Sequence, residues 1–168
     1  MDVEAKLEAL GLEVPDLQRD YRLSTSGARY VSHLPVGNLL FLSGTVPLKE
    51  GVPYMTGVVG ADLSIEQGYE AARYAALTSL SALKYALGDL DRVEQVVTMT
   101  GYVNSAPGFH DQSRVVNGAT DLLVELYGDR GKGTRAAIGC QGLALNSSVE
   151  IILATSFTGS AVNKPLHR

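Results

Sequence analysis

The sequence predicts an α+β domain with element order β-β-α-β-α-β-β, in which two long helices pack on one face of a single mixed sheet. Three observations predict it. Two long segments, one beginning at Ser64 and one covering roughly 111–127, carry apolar residues at helical spacing. Short segments rich in Val, Ile, Leu and Thr surround them and read as strands. Turn residues at Gly37-Asn38, Gly88, Gly128 and Asn146-Ser147 punctuate the chain between these segments. One sheet with both helices on the same face hides the apolar stripes of those helices.

Val3, Leu7 and Leu10 stand at helical spacing before Gly11, which predicts a short N-terminal helix followed by a polar connector from Pro15. Residues 1–29 therefore read as an extension, and 30–158 as the α+β domain. YVSHLPVG and NLLFLSGTVPL, from Tyr30 onward, are two short strands joined by the Gly37-Asn38 turn. The Gly- and Pro-rich run from Lys49 to Ser64 is a loop with local hairpin character.

Ser64 and Gln67 fit a capping box at the start of the first long helix. Ile65, Ala72, Ala76, Leu80, Leu83 and Leu87 form its apolar face, and Gly88 ends it. EQVVTMTGYVNS is a strand with Val97, Met99 and Val103 expected on one side. Val115, Ala119, Leu122 and Leu126 stripe the second helix. TRAAIGCQGLAL and SVEIILATSF close the sheet, and residues 159–168 read as a loose tail. Val149, Ile151 and Leu153, or their alternating neighbours, are left on a second sheet face that something must cover. Oligomerisation is the economical answer.

Length supports one domain, since 168 residues bury a sufficient core without a staple. Charged residues make up only 19 % of the chain, which fits a surface partly covered by another subunit. The net charge is −4 and the 14 Lys and Arg residues are scattered, so no basic stripe for nucleic acid is visible. The single Cys140 excludes an internal disulfide. The acidic start lacks the pattern of a signal peptide, and no run is long enough to span a membrane. The expected location is cytoplasmic.

Neither a phosphate-binding loop nor a dinucleotide fingerprint is present. His33, His110 and His167 have no acidic or cysteine partners at ligand spacing, so no metal site is expected. His33 reads either as a general base or as a structural histidine. Cys140 reads either as a nucleophile or as a small apolar strand residue. Ser43 lies at the end of an apolar strand without a nucleophile elbow. Arg135 opens a strand of small residues after a Gly-rich loop, and a charge entering a sheet needs a partner. That partner is either a ligand carboxylate held by the guanidinium fork or an internal acid. Glu150, flanked by apolar residues, is either an exposed edge residue or a buried, paired acid.

Several spacings occur together. Tyr30 stands seven residues before the Gly37-Asn38 turn, and a strand then ends at Ser43-Gly44. A long helix, a Gly-Asp-Leu-Asp segment and the strand VEQVVTMTGYV follow. Arg135 precedes a run of small residues and Leu143-Ala144, with Val149 and Glu150 fourteen and fifteen residues beyond it. This ordered set, over roughly residues 30–157, resembles the Rid (reactive intermediate deaminase, YjgF-like) family. The segment before Asn117 is about four residues longer than in the best-known members, which resembles one subgroup of the family.

The resemblance implies a chorismate-mutase-like fold and a homotrimer with ligand clefts between neighbours. It implies that Arg135 grips a substrate carboxylate and that Glu150 acts with it. Tyr30, Ser43, Gly44, Asn117 and Cys140 are the implied substrate-binding positions. The implied activity is hydrolysis of enamine or imine intermediates, such as 2-aminoacrylate, to a 2-keto acid and ammonia. No metal or organic cofactor is implied. A non-catalytic carboxylate binder or regulatory protein is the alternative, and ribonuclease activity is the third reading. Gly139, Ala144 and Ile152 depart from the family pattern at an acid, a turn proline and a second strand acid.

Overall fold

The computed structural model describes residues 2–18 and 29–167; part of the expected connector, residues 19–28, lies outside the described residues. A short helix α1 (Val3–Ala9) leads the chain. Strands β1 (His33–Val36) and β2 (Leu39–Leu42) and a small hairpin of β3 (Leu48–Lys49) and β4 (Val52–Pro53) follow. Helix α2 (Ile65–Leu87), β5 (Val93–Asn104), α3 (Gln112–Tyr127), β6 (Thr134–Cys140) and β7 (Val149–Phe157) complete the fold. The main sheet has the order β1-β2-β7-β5-β6, with β5 and β6 parallel and the other pairs antiparallel. The mixed α+β architecture expected from the sequence is therefore present, with the loop hairpin as a separate two-stranded sheet.

Helix α2 starts where its cap dictates. Gln67 N donates to Ser64 Oγ at 3.2 Å, and Ser64 N donates to Gln67 Oε1 at 2.9 Å. Gly88 ends the helix in the left-handed region at φ 78°, which a side chain would resist. Small residues let α3 come close to α2: a β-carbon on Gly118 would overlap the carbonyl of Tyr69, 2.8 Å from its carbon. Ala71, Ala72, Ala75 and Ala76 of α2 are fully buried beside it.

Both helices lie on one sheet face. Val149, Ile151 and Leu153 are buried beneath them, so these three belong to the covered face and not to the second one. Their alternating neighbours, Glu150 and Ile152, point the other way. Leu34 (54 % exposed), Phe41 (44 %), Ile138 (42 %) and Ile152 (41 %) make that second face apolar and uncovered in the single chain. Val97 is corrected as well. Register shifts between Val93 and Gln95 and between Val96 and Thr98 turn it outward, and Val96 joins Met99 and Val103 in the core. A bulge adds a residue to one strand and thereby reverses the alternation that a regular strand would follow.

The two ends of the described chain pack onto the domain. Val3 and Leu7 are buried, while Leu10 follows the helix and stays exposed. Lys6 Nζ donates to Leu126 O at 2.7 Å, meeting an unpaired carbonyl at the end of α3. The C-terminal segment, expected to be loose, is tied down. Asn163 N donates to Ala86 O at 2.8 Å, Ser32 N donates to Leu166 O at 2.9 Å, and Val31 bridges His167. The polar composition of this segment hides these backbone bonds from a reading of the sequence.

Candidate functional site

Arg135 stands near the start of β6, an edge strand, and its side chain leaves the sheet toward α3. Its Nη1 donates to Asn117 Oδ1 at 2.7 Å and to Thr120 Oγ1 at 3.0 Å. Asn117 and Thr120 are neighbours on the helix surface by their three-residue spacing. Both partners are neutral, so the guanidinium charge is oriented by uncharged groups, and the residue as a whole is exposed. A cleft of about 180 Å³ opens beside it, lined by Met99, Thr120, Leu123, Lys132 and Thr134 among others. The Lys132 ammonium is held by Asp129 at 2.7 Å. Among the described residues, Arg135 is met by its two neutral partners, Asn117 and Thr120, and not by an acid.

A second group gathers at Gly44. Thr45 and Ile151 exchange backbone bonds, each 2.9 Å, and Thr45 Oγ1 lies 2.6 Å from Ser79 Oγ of α2. This pins the Ser43-Gly44 segment against β7 one residue from Glu150. The Glu150 carboxylate packs on Gly44, where a β-carbon would stand 2.9 Å from Cδ and overlap Oε1. Glu150 is half-buried, and that burial holds its carboxyl above the usual carboxylate range. Cys140 is pushed up as well, first by burial and then by the Glu150 charge. That thiol is not poised as a nucleophile, which needs a lowered value.

Ser43 N donates to Ser32 O at 3.1 Å, and Ser43 Oγ donates to Val31 O at 2.6 Å. The Ser43 hydroxyl thus shapes the segment beside Tyr30 and is itself engaged. Tyr30 is exposed. Two residues that the sequence did not single out belong with these groups. Thr120 shares Arg135 with Asn117, and its position three residues after Asn117 is the signal that would have found it. Tyr102 pairs directly with Glu150 on one side and Ile138 on the other, so these three side chains form one row on the uncovered face.

The two groups do not meet within one chain. Arg135 lies three residues along β6 from the Ile138 row, about 10 Å at the rise of a strand. It also projects from the opposite face, since residues an odd number apart on a strand point to opposite sides. One group offers an oriented cation and the other a partly desolvated carboxylate beside exposed backbone. Among the described residues no three His, Cys, Asp or Glu side chains gather as a metal site, and no helix is long and apolar enough to cross a membrane. His33 is buried, with its Nε2 2.9 Å from Asn163 O and its Nδ1 3.0 Å from Ser32 Oγ, so both ring nitrogens are engaged inside the fold.

A family model described as "YjgF/chorismate mutase-like, putative endoribonuclease" matches residues 4–157. The chain belongs to the YjgF-like (Rid) family. Among its relatives, protein TCP17 of Trypanosoma cruzi is 39 % identical over 150 residues, 89 % of this chain and 90 % of that protein. The crystal structure of protein Atu1372 from Agrobacterium tumefaciens is similar with a TM-score of 0.82 and 35 % identity, covering 92 % of this chain and 91 % of that one. The crystal structure of a "putative endoribonuclease" from Shewanella oneidensis MR-1 has a TM-score of 0.85 and 30 % identity, covering 94 % and 100 %. These structures agree with the chain in fold, the family description gives that fold as chorismate-mutase-like, and the family match extends over most of the N-terminal extension as well.

Proposed function

We propose that this YjgF-like protein is a hydrolytic deaminase of reactive imines and enamines of the 2-aminoacrylate type, working as a homotrimer. The observation that carries the reading is the pairing of two incomplete groups on one chain. Arg135, oriented by neutral partners, suits a substrate carboxylate, and Glu150, whose carboxyl is raised by burial, suits proton transfer. Opposite placement on the sheet calls for Arg135 of one subunit to face Gly44 and Glu150 of the next. The uncovered apolar face offers the surface that such an association would bury.

An imine carbon is already electrophilic, so catalysis reduces to orientation and a placed water. Arg135 and Asn117 hold the carboxylate end. Glu150 takes a proton as water oxygen bonds to the imine carbon, and the proton is returned to nitrogen. The carbinolamine hydroxyl then gives its proton to Glu150 and from there to nitrogen as C=O forms and the C–N bond breaks, leaving 2-keto acid and ammonia. An enamine first gains a proton on its β-carbon and loses one from nitrogen to become the imine. Tyr30, Ser43, Gly44 and Cys140 line the Glu150 side of the cleft in this reading.

The test is a coupled assay. Imines generated from several amino acids by an amino-acid oxidase are offered to wild-type protein and to Arg135→Ala. Faster keto-acid release by wild type, lost in the variant, supports the deaminase. No acceleration with any imine, from a folded trimer, overturns it and leaves carboxylate binding as the better account. A net charge of −4 without a basic stripe gives little support to a ribonuclease, whose affinity would rest on phosphate contacts.

A further inference from the structure

The Ser43-Gly44 side of the site is held from behind by the end of the chain. Val31 and Ser32 lie between two partners. On one side Ser43 N donates to Ser32 O at 3.1 Å, and Ser43 Oγ donates to Val31 O at 2.6 Å. On the other side Ser32 N donates to Leu166 O at 2.9 Å, and Leu166 N donates to Ser32 Oγ at 3.0 Å. His167 bridges Val31 in the same antiparallel arrangement. The C-terminal segment therefore acts as an added edge piece beside β1, outside the five strands of the main sheet.

The segment has its own anchors. Asn163 N donates to Ala86 O at 2.8 Å, Asn163 Nδ2 donates to Tyr85 O at 2.6 Å, and Tyr85 OH donates to Lys164 O at 3.3 Å. These bonds fasten it to the last turn of α2. His33 links the anchor to the strap: its Nδ1 lies 3.0 Å from Ser32 Oγ and its Nε2 lies 2.9 Å from Asn163 O. A carbonyl only accepts, so Nε2 carries the proton and Nδ1 accepts from the Ser32 hydroxyl. Ser32 Oγ in turn accepts from Leu166 N. His33 is 1 % exposed, and burial keeps it below the usual histidine range and neutral. The network is closed from Asn163 to Ser43.

We infer that residues 163–167 form a strap that positions the Ser43-Gly44 backbone of the site, with Ser32, His33 and Asn163 as positioning residues. The inference rests on the proposed reading for its consequence in catalysis. Its structural content stands on the hydrogen bonds alone. The strap acts on the Glu150 side and leaves Arg135 untouched, so loosening it lowers turnover more than substrate capture.

The test compares wild type with Ser32→Ala, which keeps the backbone bonds and removes the hydroxyl. Asn163→Ala is the second variant, since it removes the side-chain bond to Tyr85 O and so loosens the strap at an exposed anchor. Hydrogen exchange of the Ser43 amide is expected to speed up about three- to tenfold in both, the effect of one net hydrogen bond. The Ile151 amide is expected to keep its wild-type rate, and Ser32→Thr is expected to restore protection of Ser43. With an imine substrate, kcat falls while KM holds. Unchanged Ser43 exchange in both folded variants overturns the strap, as does loosened Ser43 with wild-type kcat. A wild type inactive on every imine overturns the deaminase reading and not the strap, which Ser43 exchange then supports or refutes alone.

Discussion

The Glu150 carboxylate rests on the α-carbon of Gly44, so closely that a β-carbon there would overlap Oε1 and stand 2.9 Å from Cδ. The obstructed atoms are the far end of a flexible side chain, so the fold can yield and the carboxylate must move. Gly44→Ala is expected to leave the circular dichroism spectrum and thermal midpoint near wild type. Turnover of an imine substrate is expected to fall about a hundredfold, the scale on which displacing a reacting group by an ångström acts. Wild-type turnover in Gly44→Ala would remove Glu150 from the reaction.

Glu150 also gives a prediction in pH. Its carboxyl is raised in the folded chain by burial, from 4.5 in its unperturbed form. Between these two values the native state holds the proton and the unfolded state has lost it. Stability from this group is thus fully present below 4.5 and declines as pH rises through the folded value. Glu150→Gln removes the ionisation. Its thermal midpoint is expected to match wild type near pH 4 and to exceed it increasingly as pH rises, levelling off above the folded value. Imine turnover is expected to fall about 10²- to 10⁴-fold in the same variant. A midpoint difference that does not change with pH would show that burial does not perturb this acid.

The strands and helices were legible because periodicity survives in sequence, and the capping box at Ser64 and Gln67 appears as written. Parity was less legible. The bulges near Val97 reverse one strand, and no spacing in EQVVTMTGYV announces them. Val149, Ile151 and Leu153 could have been placed on either face until the helices were docked. At the site, Arg135 and Glu150 were visible as charges in apolar surroundings. That they stand on opposite faces was not, because it depends on the phase of two separate strands. The strap leaves no mark in the sequence because backbone carbonyls and amides, which every residue has, form most of it.

The uncovered sheet face is expected to be the subunit interface. Phe41 and Leu34 pair across β1 and β2, and Ile152 lies on β7 toward the middle of the sheet. Phe41→Glu puts a charge on this face at a position outside the core of the chain. An unpaired buried charge costs several kcal/mol or more by order of magnitude, enough to dissociate an assembly. Light scattering coupled to size exclusion is expected to give a trimer for wild type and a folded monomer for the variant. Deaminase activity is expected to disappear with the trimer, because Arg135 and Glu150 would no longer face each other. An active Phe41→Glu monomer would refute the assembly of the site from two subunits.

The last prediction separates the scaffold from the site. Gly118 faces Tyr69 at the crossing of α2 and α3, and a β-carbon there would stand 2.8 Å from the Tyr69 carbonyl carbon and 3.2 Å from Arg73 N. Unlike Glu150 beside Gly44, these are backbone atoms, so neither helix can give way by turning a side chain. Gly118→Ala must push α3 outward. Overpacking against backbone costs roughly 3 kcal/mol, the upper end of the usual range, and for a chain of this size the thermal midpoint is expected to fall by roughly 4–8 °C once helix propensity is counted. Alanine is the better helix former by about 1 kcal/mol, which opposes the loss without cancelling it. The displacement also carries Asn117 and Thr120 away from Arg135, so KM for the imine is expected to rise along with the loss of stability. A midpoint at or above that of wild type would mean that helix propensity outweighs the clash and that the two helices have room to separate.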